Sequence, residues 1–255
     1  FRDGVKLAGV NSINWARVLA QVVYYFTSAV SLGAPNRKIS FTVPTGNFGD
    51  IFAGYVAKRM GLPIERLVIA TNQNDILHRT VASGDHTKGG VTPSISPSMD
   101  IQVSSNFERL LFDLYDREGS AVAQLMDDLK DKGSFALAQG ALERLRAEFD
   151  SANCSEEETS ETIRFAHEHY DEVVCPHTAV GIKVAAEMRG DVATPMVTLA
   201  TAHAAKFPDA VEAACGIHPN LPSHMAHLFD RPERVTRVAN DLAAIQNIIR
   251  KGIAV

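Results

Sequence analysis

Residues 40–54, with the sequence SFTVPTGNFGDIFAG, join an apolar run to a turn with two glycines and then to a helical pattern. The run at 39–43 predicts a strand. The helical pattern has apolar residues on one face, at Ile51, Tyr55, Val56 and Met60. A strand, a turn and a helix N-terminus bring backbone N–H groups and the positive end of the helix dipole to one point. The stretch therefore predicts an α/β fold with a phosphate-type anion site at residues 44–50.

The two glycines of this turn, Gly46 and Gly49, suit such a site. Glycine allows close approach of an anion to the backbone, and we expect one N–H to be directed by an unusual φ. The turn is neither a P-loop nor a dinucleotide fingerprint, because the required lysine and third glycine are absent. An ordinary strand-to-helix turn remains the alternative. In that alternative Asn47 is a turn residue and Asp50 is a helix cap.

The string TGNFGD at 45–50 resembles the cofactor-phosphate loop of threonine synthases, which are pyridoxal-phosphate enzymes of the tryptophan-synthase-β type. Other strings similar to this family follow in the family's order and extend over most of residues 7–230. They are VNSINWAR at 10–17, IATNQND at 69–75, PSISPSMDI at 93–101, SNFER at 105–109, PHTAVG at 176–181 and ATAHAAKF at 200–207. The resemblance therefore rests on several separate segments.

The resemblance implies an α/β fold with a mostly parallel sheet, helices on both faces and a helical insertion, incomplete at the N-terminus. We expect residues 1–104 to form the cofactor-binding α/β domain, 105–172 a mainly helical insertion, and 173–255 a return to the first domain with a C-terminal helix. The implied cofactor is pyridoxal 5'-phosphate. Its phosphate would be held by Gly46, Asn47, Phe48, Gly49 and Asp50. By resemblance, Thr201 would hydrogen-bond the pyridine nitrogen, and a neutral hydroxyl would leave that nitrogen less protonated than an aspartate would.

Substrate anions need positive groups or helix N-termini. Asn11, Ser12, Asn14 and Arg17 stand at a predicted helix start, where the first three can be caps and where the arginine can bind a carboxylate or phosphate. Lys206 follows a predicted strand end, and we expect it to place positive charge near the substrate phosphate. These five residues are the predicted substrate-binding set.

The lysine that forms a Schiff base with the cofactor is missing from these motifs. In threonine synthases it lies early in the chain in a Phe-Lys-Asp-like context, before a Ser-Gly-Asp-Thr-Gly-like loop, and neither occurs here. We therefore expect both upstream of Phe1 and interpret this chain as the C-terminal part of such an enzyme. The fragment alone is expected to be inactive, with no catalytic residue of its own and the missing N-terminal segment as its partner. A Schiff-base role for Lys206 is the less favoured alternative.

The resemblance implies that the intact enzyme is a lyase that converts O-phospho-L-homoserine and water to L-threonine and phosphate, the last step of threonine biosynthesis. Two alternatives stay open. One is another enzyme of the same fold type, a threonine-synthase-like phospholyase or a threonine dehydratase, although the strings at 11–14 and 200–207 disfavour the dehydratase. The other is a non-catalytic phosphate-binding domain.

Composition places limits on other functions. The 255 residues carry a formal net charge of −5 with scattered basic residues, which gives no nucleic-acid footprint, and no apolar run predicts a membrane span. The three cysteines, Cys154, Cys175 and Cys215, have no Cys-x-x-Cys spacing and indicate reduced thiols in the cytoplasm. The histidine and cysteine spacings match no standard metal site, so none is predicted.

The order of elements supports a parallel sheet. Strands are predicted at residues 6–10, 39–43, 67–71 and 196–201, and helices follow the first three of them. An irregular loop is predicted at 84–104, and a helical pattern extends from 107 to 170. Within it, Ser155 and Glu158 form a capping-box arrangement. Helices are also predicted from Pro208 and over 241–250.

Overall fold

The chain contains a four-stranded parallel sheet with helices packed on both faces. The computed structural model describes residues 1–9 and 11–253. Its contacts divide the chain into a large unit, residues 11–220, and a small unit formed by residues 1–10 and 221–255.

The strands are β1 (Ile39–Pro44), β2 (Ile64–Thr71), β3 (Asp85–Thr87), β4 (Ser134–Ala136), β5 (Phe149–Asn153) and β6 (Met196–Thr198). The first six helices are α1 (Arg2–Val5), α2 (Trp15–Ser31), α3 (Gly49–Arg59), α4 (Ile76–Ser83), α5 (Phe107–Leu114) and α6 (Gly119–Asp131). The remaining ones are α7 (Gln139–Glu148), α8 (Glu156–Tyr170), α9 (Pro176–Met188), α10 (Pro208–Cys215) and α11 (Leu242–Ile253).

The sheet has the order β5-β2-β1-β6, and each pair of neighbours is parallel. Alternate residues of β2 face opposite sides. Leu67 and Ile69 belong to the larger core, which is formed with helices α2 to α7. Val68 and Ala70 pack with Val180 and other residues on the α9 side. Both faces are buried, as is usual for parallel sheets, and the predicted fold class is confirmed.

Two predictions of secondary structure are wrong. The strand expected at residues 6–10 is not found at residues 6–9. Lys6 ends α1 in the left-handed conformation, with φ 49°, and residues 7–9 have no regular structure. Val10 lies outside the described residues. The helical pattern at 107–170 is interrupted by β4 and β5. β5 is polar and half-buried, so its sequence does not have the apolar pattern of a strand. It forms a strand because its backbone pairs in parallel with β2, which is distant in the sequence. The three-part division at 104 and 172 stays a prediction.

Several local predictions are confirmed. Asn14 caps α2, its side-chain oxygen accepting a hydrogen bond from the Ala16 N–H at 3.0 Å. Ser155 and Glu158 form the predicted capping box at the start of α8. Helix α10 begins at Pro208 as expected. Each of these signals is local, because the capping side chain and its backbone partner lie within three residues.

The small unit contains α1, a 3₁₀ turn at Ser223–Met225 and the amphipathic helix α11. Within it the Arg250 guanidinium lies over the Phe1 ring, 5.1 Å from its centroid. No helix among residues 1–9 and 11–253 has the length and hydropathy needed to cross a bilayer.

Candidate cofactor and substrate site

A cavity of about 610 Å³ lies beyond the carboxyl ends of β1 and β6. Ligands of open parallel sheets bind at this edge, and the volume is within the range of small-molecule sites. Five of the residues predicted from the sequence line the cavity: Arg17, Gly46, Asp50, Thr201 and Lys206. They come from chain segments as much as 189 residues apart, 206 minus 17, so only the fold brings them together.

The predicted phosphate loop, residues 44–50, has its unusual backbone angle at Phe48 (φ 62°), which precedes the first residue of α3. The expectation that Gly46 or Gly49 would supply that angle is wrong, because neither has a positive φ. A left-handed phenylalanine is unfavourable by itself. Its ring is buried, 5.3 Å from the Phe107 ring and 5.8 Å from the Phe149 ring between centroids, and this packing offsets the backbone cost.

Gly46 is required for a different reason, the close approach of a second loop. A Cβ added to Gly46 would lie 2.5 Å from the carbonyl oxygen of Ser98. The loop at 93–100 is held in place by Asp100, whose Oδ1 accepts hydrogen bonds from the Asn72 and Asn74 side chains at 2.8 and 2.9 Å. The backbone of this loop therefore has little freedom to move away from a larger residue at Gly46.

The start of α3 can bind an anion. The first N–H groups of a helix have no acceptor within it, and in the part of the chain that the structure describes the N–H groups of 46–50 form no hydrogen bond to a backbone carbonyl in another segment. Gly46 and Asp50, at the two ends of this turn, line the cavity. The arrangement offers N–H donors and the positive end of the helix dipole to a phosphate.

Asp50 carries a perturbed carboxyl group in this wall. Burial raises its pKa from 3.8 to about 6, although a hydrogen bond from Tyr25 and the positive charge of Arg17 act in the opposite direction. The Tyr25 hydroxyl lies 2.8 Å from the Asp50 carbonyl oxygen and 3.3 Å from its Oδ1. An ionised Asp50 would repel a bound phosphate, so the raised pKa favours anion binding.

Replacing Asp50 by asparagine is expected to stabilise the protein above pH 6. The folded-state pKa of Asp50 is above the ordinary value, so folding favours the protonated form and stability is lost as the pH rises from about 4 to 6. The shift of about two pKa units corresponds to up to about 3 kcal/mol. Urea unfolding of wild type and Asp50→Asn at pH 4 and pH 8 checks this. The control Asp127→Asn, on an exposed carboxyl of α6, should leave the difference between the two pH values unchanged.

Thr201 and Lys206 also line the cavity. Thr201 donates its backbone N–H to the Thr178 hydroxyl at 3.2 Å, and the two hydroxyl oxygens lie 3.5 Å apart. The Lys206 ammonium lies 5.6 Å from the centroid of the Phe207 ring. Arg17 on α2 and Lys206 are the two cationic residues that line the cavity, among the described residues.

Three members of the predicted substrate set, Asn11, Ser12 and Asn14, do not line this cavity. Asn11 accepts a hydrogen bond from the Ile13 N–H, and Asn14 is the cap of α2. The Ser12 carbonyl accepts one from the side chain of Asn106, at 3.0 Å. Their role in substrate binding stays a prediction.

Sequence reasoning missed three residues of the site. Asn106 donates its backbone and side-chain N–H groups to the Asn47 carbonyl and so joins the phosphate loop to the start of α5. His177 lines the cavity, and its Nε2 accepts a hydrogen bond from the Ser98 N–H at 3.1 Å. Cys175 is the N-cap of α9. The strings SNFER and PHTAVG pointed to two of these segments, but their contacts depend on the tertiary structure.

The chain is similar to proteins of known family. A family model described as "Threonine synthase, C-terminal" matches residues 178–249. The threonine synthase of Pseudomonas aeruginosa is 53% identical over 250 residues, which are 98% of this chain and 53% of the relative. That of Corynebacterium glutamicum is 42% identical over 261 residues, 100% of this chain and 54% of the relative.

A solved structure agrees with these matches. The crystal structure of threonine synthase from Brucella melitensis with bound PLP superposes with a TM-score of 0.94 and 54% identity, covering 98% of this chain and 54% of that one. The chain thus spans about half the length of the curated relatives and solved structures it matches.

Proposed function

We propose that this chain is the cofactor-phosphate and substrate-anion part of a threonine synthase, because nearly its whole length matches about half the length of such enzymes and residues 178–249 match the family model of their C-terminal region. The proposed reaction converts O-phospho-L-homoserine and water to L-threonine and phosphate, as the last step of threonine biosynthesis. The observation that carries the proposal is the single cavity that contains Gly46, Asp50, Thr201, Arg17 and Lys206.

The residues present fit pyridoxal 5'-phosphate. The N–H groups at the start of α3 would hold its phosphate, with the Gly46 backbone close to it and Phe48 keeping the turn in shape. The Thr201 hydroxyl would face its ring nitrogen. When bound, this cofactor supplies an electron sink that allows protons to leave substrate carbons.

The cationic residues of the cavity would bind the substrate. Arg17 can form two parallel hydrogen bonds with a phosphate or carboxylate, and Lys206 would act as a point charge in the same cavity. Both would hold the substrate phosphate and stabilise it as it leaves. The protonated form of Asp50 would avoid repulsion of these anions.

The lysine that bonds the cofactor is proposed to come from the remaining half of the longer protein. Four lysines here form ion pairs outside the cavity: Lys38, Lys58, Lys132 and Lys183. Lys206 is the lysine that lines it, among the described residues. By itself the fragment is proposed to be inactive. The free state of all three cysteines is compatible with the reducing cytoplasm, where we place the enzyme.

An apolar surface on α2 supports the need for a further chain segment. Leu19, Val23 and Val30 are 47%, 54% and 62% exposed on this helix. Beside its N-terminus, a groove of about 1000 Å³ is lined by Trp15, Phe52 and other apolar residues. Exposed apolar areas of this kind mark interaction sites. The segment that contains the cofactor lysine is the proposed occupant.

Replacing Arg17 by glutamine is expected to lower kcat/KM for O-phospho-L-homoserine about 100-fold, because a charged hydrogen bond to the substrate anion is lost. The measurement is steady-state phosphate release by the full-length enzyme. Arg37→Gln serves as the matched control, since that guanidinium binds the Ala193 carbonyl outside the cavity; its kcat/KM should change by no more than about twofold. Equal effects of the two substitutions would contradict the role of Arg17.

The gene upstream of Phe1 provides the decisive test. It should encode a lysine in a Phe-Lys-Asp-like context and a Ser-Gly-Asp-Thr-Gly-like loop, and the full-length protein should release phosphate from O-phospho-L-homoserine in preference to phosphoserine-like substrates. Absence of both sequence features would contradict the enzyme proposal. Preference for the other substrates would indicate a phospholyase.

A further inference from the structure

Two consecutive carbonyl groups of the predicted phosphate loop are held by one short segment, residues 104–106. The Ser104 hydroxyl donates a hydrogen bond to the Gly46 carbonyl oxygen at 2.8 Å. The Asn47 carbonyl oxygen accepts two hydrogen bonds from Asn106, one from its backbone N–H at 3.1 Å and one from its side-chain Nδ2 at 2.9 Å. Both donor residues are buried, Ser104 with 6% and Asn106 with 0% exposure. These three bonds fix the orientation of two successive peptide groups.

The side-chain amide of Asn106 has one orientation that satisfies its neighbours. Its Nδ2 lies 2.9 Å from the Asn47 carbonyl oxygen and 3.0 Å from the Ser12 carbonyl oxygen, and both of these oxygens only accept hydrogen bonds. Its Oδ1 lies 3.1 Å from Nε of Arg109, which only donates. An amide turned the other way would place an acceptor against two acceptors. Asn106 is therefore a donor to the loop.

Peptide geometry converts these carbonyl contacts into an orientation of N–H groups. A trans peptide is planar, and its C=O and N–H bonds point in opposite directions. Both peptide bonds between residues 46 and 48 are trans. Because the two carbonyls are directed at residues 104–106, the N–H groups of Asn47 and Phe48 are directed away from that segment. Neither N–H donates to a backbone carbonyl in the part of the chain that the structure describes.

We propose that Ser104 and Asn106 are positioning residues that direct the N–H groups of Asn47 and Phe48 at the phosphate of the cofactor. This inference rests on the proposed function, because the anion concerned is the phosphate of pyridoxal phosphate. Successive N–H groups that point to one side form a concave anion site, and the left-handed conformation of Phe48 is typical of such a site. In an extended chain successive N–H groups alternate between two sides, so the contacts with residues 104–106 keep both donors on one side.

The two residues act through the loop and do not line the cavity, whereas Gly46 does. Without its donor, each of the two carbonyls would lack a hydrogen-bond partner. Rotation of the peptide group toward another donor would turn the adjoining N–H away from the anion, because the two groups share one plane. We therefore expect loss of either side chain to weaken binding of the phosphate group and to leave the other contacts of the cofactor intact.

The first experiment compares pyridoxal phosphate with pyridoxal, which lacks the phosphate, on the full-length protein. Ser104→Ala and Asn106→Ala should each raise the dissociation constant of pyridoxal phosphate about tenfold, because each removes one hydrogen bond that holds the loop. The dissociation constant of pyridoxal should change by no more than about twofold. An unchanged constant for pyridoxal phosphate, or an equal loss for both ligands, would overturn the inference for the residue concerned.

The matched control for Ser104→Ala is Ser151→Ala. It removes a serine hydroxyl that lies 2.9 Å from Nδ1 of His78, and neither of these two residues lines the cavity. Both dissociation constants should stay within about twofold of the wild-type values. A loss as large as that of Ser104→Ala would show that the effect is a general loss of structure, and it would overturn the positioning role.

The second experiment needs no variant. Inorganic phosphate is added to the nitrogen-15-labelled full-length protein without cofactor, and the amide resonances are recorded. Those of Asn47 and Phe48 should shift together and saturate at one dissociation constant, because both N–H groups donate to the same anion. The amide of Ser151 on β5 should not shift. Resonances of Asn47 and Phe48 that do not respond to phosphate would overturn the inference, whatever the stability of the two variants.

Failure of the proposed function gives a different result. Amides of Asn47 and Phe48 that bind inorganic phosphate in a protein that binds no pyridoxal phosphate would contradict the proposed cofactor and support the orientation of the two N–H groups. Pyridoxal phosphate bound as tightly by Ser104→Ala and Asn106→Ala as by the wild type would leave the proposed function in place and overturn only the positioning role.

Discussion

Replacing Gly46 by alanine is expected to weaken binding of pyridoxal phosphate at least 100-fold and to destabilise the full-length protein by about 3 kcal/mol. The added Cβ would lie 2.5 Å from the Ser98 carbonyl oxygen, closer than non-bonded atoms tolerate. The 93–100 loop cannot retreat without breaking the hydrogen bonds of Asp100 to Asn72 and Asn74. The relief must therefore come from the phosphate loop itself, which moves the N–H groups at the start of α3.

Gly49→Ala is the matched control for this substitution. The nearest atoms to its added Cβ are 3.5 Å away or farther, which is ordinary contact, and its φ is negative. Its stability should stay within about 1 kcal/mol of the wild type, since alanine also favours the helix that begins there. Cofactor titration by fluorescence and urea unfolding measure both variants. If Gly46→Ala binds the cofactor as tightly as the wild type does, then cofactor binding does not require the close approach of the loop at 93–100 to the Gly46 backbone.

Gly181→Ala is expected to destabilise the protein by about 2 to 3 kcal/mol and to reduce activity as well. Gly181 lies on α9 where the helix crosses the sheet, and an added Cβ would be 2.7 Å from Thr198 Cγ2 and 2.9 Å from Pro44 Cγ. Pro44 precedes the phosphate loop, and Thr198 precedes the segment that carries Thr201. A displaced α9 would therefore disturb both ends of the cavity.

The control for this substitution is Gly190→Ala, because nothing lies within 4 Å of the Cβ added there. It should leave the midpoint of urea unfolding within experimental scatter. Combining Gly181→Ala with Thr198→Ser removes the closest methyl group and should restore part of the lost stability. A Gly181→Ala protein as stable as Gly190→Ala would show that α9 can shift without cost.

Much of the fold could be predicted from local pattern. The apolar run before TGNFGD and the periodic helix after it predicted β1 and α3, and Asn14 and Ser155 marked the starts of α2 and α8. These signals depend on side-chain alternation, helix periodicity and caps, all of which act over a few residues. The strand β5 was missed because its polar sequence is stabilised by pairing with β2, 82 residues earlier in the chain (149 minus 67).

The site divides in the same way. The loop at 44–50 and Thr201 could be predicted as site residues from sequence motifs. The motifs did not indicate which glycine of the loop is constrained by close packing, or the reason for that constraint. Phe48 takes the left-handed conformation because two distant rings, Phe107 and Phe149, pack against it, and Gly46 is needed because Ser98 approaches from another loop. Neither neighbour is adjacent in sequence, so no local pattern encodes the contact.

The amino-acid sequence therefore specified most of the elements and the turn between β1 and α3, since these depend on interactions between residues close in the chain. The folded structure determined which residues share a cavity and which carboxyl is buried enough to have a pKa near 6. Burial, electrostatics and hydrogen bonding across a site depend on distances in space, and those distances are set by parallel strand pairing together with the packing of helices such as α2 and α3.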